Sequence, residues 1–185
     1  MFVAIEIPDE IKKRLERLIE HLNGTTRGAR WIRADALHLT LKFIGEMPKE
    51  NLPAIEGALA SVHNSAPVEA QIRGTGFFPN DRHPHVFWVG MDASSNLKEL
   101  AAAVDASLKN VGVPPETREF SPHLTLARFK GRDGLSRLRE AIRNHETTDF
   151  GSMRASEFHL FRSELLPDGA RHTRLASFPF VEARS

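Results

Sequence analysis

Cysteine and tyrosine are both missing from this chain of 185 residues, and tryptophan occurs only twice. Without cysteine there are no disulfides and no thiolate metal sites, and a reducing cytoplasm is the natural compartment. No apolar run approaches the ~20 residues of a membrane span, so no membrane partner is expected. The opening residues, Met1-Phe2-Val3-Ala4-Ile5-Glu6-Ile7, turn acidic too soon for a signal peptide. Charge of one sign is lacking as well: 25 Lys and Arg against 24 Asp and Glu leave a formal net charge of +1. That excludes a global basic field for holding a long duplex, and leaves a small ligand or the end of a nucleic acid. With 41% apolar and 26% charged residues, the composition is that of one soluble globular domain, expected as a monomer.

What is present is a repetition. His38-Leu39-Thr40-Leu41 recurs letter for letter as His123-Leu124-Thr125-Leu126. One copy would arise by chance roughly 0.005 times in a chain of this composition, so two require a cause. Residues i and i+2 of a strand share a face, so each copy presents an imidazole beside a hydroxyl and turns its leucines the other way. Two such strands on one cleft would supply a base and an acid near neutral pH.

The rest of the chain repeats with them. Residues 2 to 7 read as a buried strand, and 9 to 23 as a helix through Ile11, Leu15, Leu18, Ile19 and Leu22. The first His strand is followed by a helix near 49 to 63. Strands near 68 to 78 and 85 to 91 come next, joined by the turn Pro79-Asn80-Asp81-Arg82. The second half replays this order with a helix over 95 to 111, the second His strand and a helix over 135 to 145. Strands at 153 to 163 and 171 to 180 then flank the turn Pro167-Asp168-Gly169. His123 lies 85 positions after His38, and the same offset aligns these elements. The expected fold is α+β and bilobal. It is one domain over 1–185, made of a duplicated unit (about 9–91 and 94–180) related by a pseudo-two-fold axis. Antiparallel sheets line a central cleft, and helices pack outside.

Paired His-x-Thr motifs in these flanks resemble the two-histidine phosphoesterases, in the branch of RNA 2′,3′-cyclic phosphodiesterases, also called LigT-like or 2′-5′ RNA ligase proteins. The likeness runs from Phe2-Val3-Ala4 and Arg30-Trp31 through Leu37-His38-Leu39-Thr40-Leu41-Lys42-Phe43-Ile44-Gly45 and Val86-Phe87-Trp88-Val89-Gly90. It continues through Phe120-Ser121-Pro122-His123 to Arg128, then Phe158-His159-Leu160-Phe161-Arg162-Ser163, Gly169 and Phe178-Pro179-Phe180. There is one clear departure. Relatives often carry a tyrosine after the late glycine, and here His172 stands in that place.

The resemblance implies hydrolysis of a 2′,3′-cyclic phosphate, on an RNA end or a nucleotide, to a 2′-phosphomonoester. Transfer-RNA halves, messenger fragments and small cyclic nucleotides all present that group. By the same resemblance His123 is the base, His38 the acid, Thr40 and Thr125 donors to the phosphoryl oxygens, and Arg128 the cation for the phosphate. No cofactor and no metal are implied. Strict alternation puts Arg128 on the leucine face, so the strand must end or bulge before it, or the side chain must curl round the edge.

Other residues have plainer readings. Lys42 shares parity with His38 and Thr40 and reads as a solvated strand lysine. Trp31, Phe43, Phe77, Phe120 and Phe161 are candidates to stack on a base, with core packing as the default for most of them. His83-Pro84-His85 reads as an exposed turn rather than a metal pair, and His21, His63, His145, His159 and His172 as structural or solvated. Arg137, Arg139 and Arg143 read as a solvated helix face. Two alternatives stay open: 2′-5′ end-joining as the reverse reaction at the same site, and a binding module without turnover. Against the second stands the presence of both His-Thr pairs, which binding alone does not need.

Overall fold

The computed structural model describes residues 1–26, 28–130, 134–145, 148–166 and 169–180. The chain opens with β1 (Phe2–Glu6), α1 (Asp9–Asn23) and the short β2 (Ala29–Trp31). A 3-10 turn (Ala34–Ala36) leads into β3 (His38–Phe43), and another (Lys49–Asn51) into α2 (Leu52–Ala60). The hairpin of β4 (Val68–Phe78) and β5 (Val86–Ala93) comes next, then α3 (Asn96–Lys109) and β6 (His123–Phe129). Last are α4 (Leu135–Ile142), β7 (Asp149–Ala155), β8 (Glu157–Leu166) and β9 (Gly169–Pro179).

Helix α1 shows why these segments fold where they do. Ile11, Leu15, Leu18 and Leu22 recur every three or four residues and form one buried stripe. Asp9 and Glu10 sit in the first turn, where the helix dipole favours negative charge. Pro53 occupies the first turn of α2, where its missing N–H costs nothing.

Two antiparallel sheets result, in the orders β3-β1-β8-β9 and β2-β6-β5-β4-β7. Each draws on both halves of the sequence. β3, from the first half, joins the β8–β9 hairpin of the second, while β6, from the second half, joins the β4–β5 hairpin of the first. The boundary between the sheets is therefore not the boundary between the sequence halves. The segment expected as one strand over 153 to 163 is two. A break at Ser156 sends β7 to the edge of the five-stranded sheet and β8 into the four-stranded one. Of the expected late turn, Pro167 and Asp168 lie outside the described residues.

The main core joins one face of each sheet to the helices, through residues such as Val3, Ile5, Leu15, Leu39, Ile55, Leu100, Leu124, Leu138 and Leu160. A second, small cluster of Phe2, Ala4 and Phe161 lies apart from it. Phe2 and Ala4 alternate with Val3 and Ile5 along β1, so this cluster belongs to the opposite face of the four-stranded sheet. That face carries His38.

Candidate active site

His38 opens β3 and His123 opens β6, and these strands approach one another although they belong to different sheets. The two imidazoles are held in the same way. Nδ1 of His38 lies 2.7 Å from the carbonyl oxygen of Ala36, and Nδ1 of His123 lies 2.7 Å from that of Ser121. A carbonyl only accepts, so each ring must carry its proton on Nδ1, and each Nε2 is left with a lone pair when the ring is neutral. The leucines of both motifs are buried while His38, Thr40, His123 and Thr125 are half-buried, as alternation requires.

The surroundings differ between the rings. His38 stacks on Phe2 (ring centroids 4.4 Å apart, 25° between planes), reaching across the small side chain of Ala4. Phe2 stacks in turn on Phe161 at 5.2 Å. His172, on β9, stands at 90° to His38 and 81° to Phe2, about equally far from each at 5.1 and 5.0 Å. It caps the side of that stack, with its Nδ1 buried and unpartnered among the described residues. On the other sheet, Phe78 meets His123 edge-on at 4.9 Å and packs against Trp88 at 5.2 Å. Trp88 lies over Gly76, where an added Cβ would come within 2.3 Å of the indole.

Burial lowers the proton affinity of both histidines, because the charged form loses hydration. For His38 burial is the main cause, helped by the charges of His172 and Lys12 and opposed by the Ala36 hydrogen bond, and its pKa falls to about 4. The His123 pKa is lowered by burial and then by the charge of Arg128, against the Ser121 hydrogen bond. Both imidazoles are thus neutral at neutral pH.

The register explains how Arg128 reaches this face. Trp88 of β5 pairs with Thr125, but Phe87 pairs with Ala127, so Leu126 is an extra residue in β6. Leu126 and Ala127 are both buried, and Arg128 emerges opposite Val86 on the face of His123. The bulge switches the parity. β3 repeats the device: Ala4 pairs with Thr40 and Val3 with Lys42, leaving Leu41 extra. Lys42 is turned inward, where it is only 5% exposed and donates to the Pro114 carbonyl (2.7 Å) while meeting Asp105 at 2.5 Å. The reading of Lys42 as a solvated lysine is corrected by this bulge. Phe43, five positions after His38 as Arg128 is after His123, is then placed opposite Phe2 on the cleft face and is 57% exposed.

Of the five aromatics named from sequence, Phe77 and Phe161 are buried, while Trp31 and Phe120 pack against the main core. Only Phe43 offers an open ring face. His159, read as structural or solvated, is 2% exposed and bonded through Nδ1 to the Ser177 hydroxyl at 3.0 Å. Sequence reasoning missed Phe2 and Phe78 as neighbours of the histidines. Nothing in the local pattern signals them, because each meets its histidine through sheet register or packing. Among the described residues there is no group of three His, Asp or Glu placed to hold a metal ion. No helix among them is long and apolar enough to cross a membrane.

A model of the 2′-5′ RNA ligase superfamily matches residues 7–165. The RNA 2′,3′-cyclic phosphodiesterase of Methanothermobacter thermautotrophicus is 33% identical over 178 residues, 96% of each chain. That of Thermus thermophilus is 34% identical over 186 residues, covering 96% of this chain and 88% of its own. Among solved structures, the Thermus thermophilus protein TT0787 superposes with a TM-score of 0.82 at 29% identity, covering 99% of this chain and 98% of its own. E. coli LigT in complex with 3′-AMP gives a TM-score of 0.78 at 25% identity, with 98% and 97% covered.

Proposed function

The chain belongs to the 2′-5′ RNA ligase superfamily, and from that membership we propose that it is a hydrolase of RNA or nucleotide 2′,3′-cyclic phosphates. The observation that carries this reading is the matched pair of imidazoles. Each is locked by a carbonyl on Nδ1, with its Nε2 free for proton transfer.

Water attacks phosphorus opposite the departing 3′ oxygen, and negative charge grows on the non-bridging oxygens. His123 takes the water's proton at Nε2; the nearby Arg128 charge favours its neutral form. His38 gives its proton to the 3′ oxygen, leaving a 2′-phosphomonoester. Because His38 by itself is neutral at neutral pH, the phosphate's own negative charge must supply the field that protonates it on binding. Thr40 and Thr125 donate hydrogen bonds to the non-bridging oxygens as charge develops there. The in-line geometry puts the ribose on the side of the acid, and the nucleobase rests on the exposed ring of Phe43. The scheme uses no metal and no cofactor. RNA ends, transfer-RNA fragments among them, are the substrates, and the cytoplasm is the place of action.

The test is turnover of 2′,3′-cyclic AMP and of a short RNA with that terminus, in the presence of EDTA. Release of a 2′-phosphate, lost in His38→Ala and His123→Ala, supports the reading. Binding without turnover would leave only a binding module, and abolition by EDTA would sink the metal-free scheme.

A further inference from the structure

Where β2 joins β6, Arg30 lies directly opposite Arg128 in the antiparallel register. Residues opposite one another share a face, so both side chains project into the cleft on the His123 side of the molecule. Alternation agrees: Arg30 is exposed, while its neighbours Ala29 and Trp31 pack against the core. Lys130 is exposed one residue past the end of β6, and its backbone N–H is bonded to the Gly28 carbonyl. Three cations therefore gather at this edge. Neither arginine forms an ion pair or side-chain hydrogen bond among the described residues, whereas Arg33, Arg73, Arg118, Arg154, Arg162 and Arg174 all hold acidic partners.

A like-charged pair directly across two strands is destabilising by itself. No carboxylate among the described residues pairs with either arginine, in a protein whose formal net charge is only +1. The edge also has a direction. Arg128 is close enough to His123 to influence its charge, Arg30 lies beside it on β2, and Lys130 lies two residues farther along the chain. An anion seated here would be the next one along a strand whose end occupies the histidines.

We propose that Arg30, with Arg128, binds the phosphodiester adjoining the terminal nucleotide, so that this site is built for an RNA strand rather than a free cyclic nucleotide. The inference rests on the phosphodiesterase reading of the same cleft. Arg128 serves both phosphates, and Arg30 serves the second, with guanidinium donors matched to phosphate oxygens. A 5′-phosphate on a mononucleotide has the same chemistry, and the substrates below separate the two.

The experiment compares kcat/KM for a tetranucleotide ending in a 2′,3′-cyclic phosphate, for 2′,3′-cyclic AMP, and for 2′,3′-cyclic AMP bearing a 5′-phosphate. Wild type is expected to prefer the tetranucleotide at least tenfold, and Arg30→Ala to cut that preference at least fivefold through KM. Arg30→Lys should keep part of it. The salt dependence of log KM for the tetranucleotide should lose about one unit of slope in Arg30→Ala. An equal loss on the tetranucleotide and on 2′,3′-cyclic AMP would overturn the proposal and put Arg30 on the reacting phosphate. No loss on either would overturn it outright. A preference equally strong for the 5′-phosphorylated mononucleotide would replace the RNA strand with a terminal phosphate. Affinity for a tetranucleotide ending in a 2′-phosphate is measured alongside. If wild type binds it more tightly than Arg30→Ala but turns nothing over, the phosphodiesterase reading fails while the phosphate site stands.

Discussion

At the scale of single residues, burial sets the charge of the two histidines. His38 has a folded pKa of about 4, below the 6.5 of an unperturbed histidine, so the native state binds fewer protons than the unfolded chain. The stability it contributes is full above pH ~6.5 and is lost as pH falls towards 4, an effect on the order of 3 kcal/mol. Urea denaturation at pH 7.5 and 4.5 measures it, and His38→Phe should flatten the slope. Catalysis feels the same shifts. The acid must hold a proton, and both histidines are lowered below 6.5. The bell of kcat/KM against pH is therefore expected to peak on the acid side of 6.5, with the kcat profile moved upward by the bound phosphate. An optimum at pH 8 in kcat/KM would contradict this. Removing either imidazole by His38→Ala or His123→Ala should lower kcat by about 10²–10⁴-fold, measured on a cyclic nucleotide.

At the scale of elements, two one-residue bulges organise the cleft. Leu41 and Leu126 are the extra residues, and each moves the chain after it to the other face. Lys42 is the product of the first: its ammonium ties β3 to Asp105 on α3 and to the loop at Pro114. Asp105→Ala leaves that buried ammonium short of its counter-charge, and about 1–3 kcal/mol of stability should go with it, read from urea unfolding. The glycine under Trp88 is a different device, a close approach of ring to backbone. Gly76→Ala would drive a methyl group into the indole, and it should destabilise by about 1–3 kcal/mol. Because Trp88 pairs with Thr125, the same change should raise KM as well.

At the scale of the whole molecule, both His-Thr pairs, Arg128, Phe43 and Arg30 come from one chain. A monomer is therefore the proposed active species. Light scattering and a specific activity independent of protein concentration would check it.

The sequence by itself determined most of the elements and the proposed chemistry. Periodicity placed α1 over its full range and the β4–β5 hairpin within a few residues. The doubled His-Leu-Thr-Leu named the four residues that face the cleft, because a period of two is a local property of any strand. The tertiary structure alone decided what depends on register. Parity reasoning could not choose the route by which Arg128 reaches the cleft, nor foresee that Lys42 would be buried, since a bulge is visible only against the partner strand. The exchange of strands between halves, the stacking of Phe2 on His38, and the meeting of Arg30 with Arg128 are likewise long-range. Each joins residues far apart in the chain through pairing that no local pattern encodes.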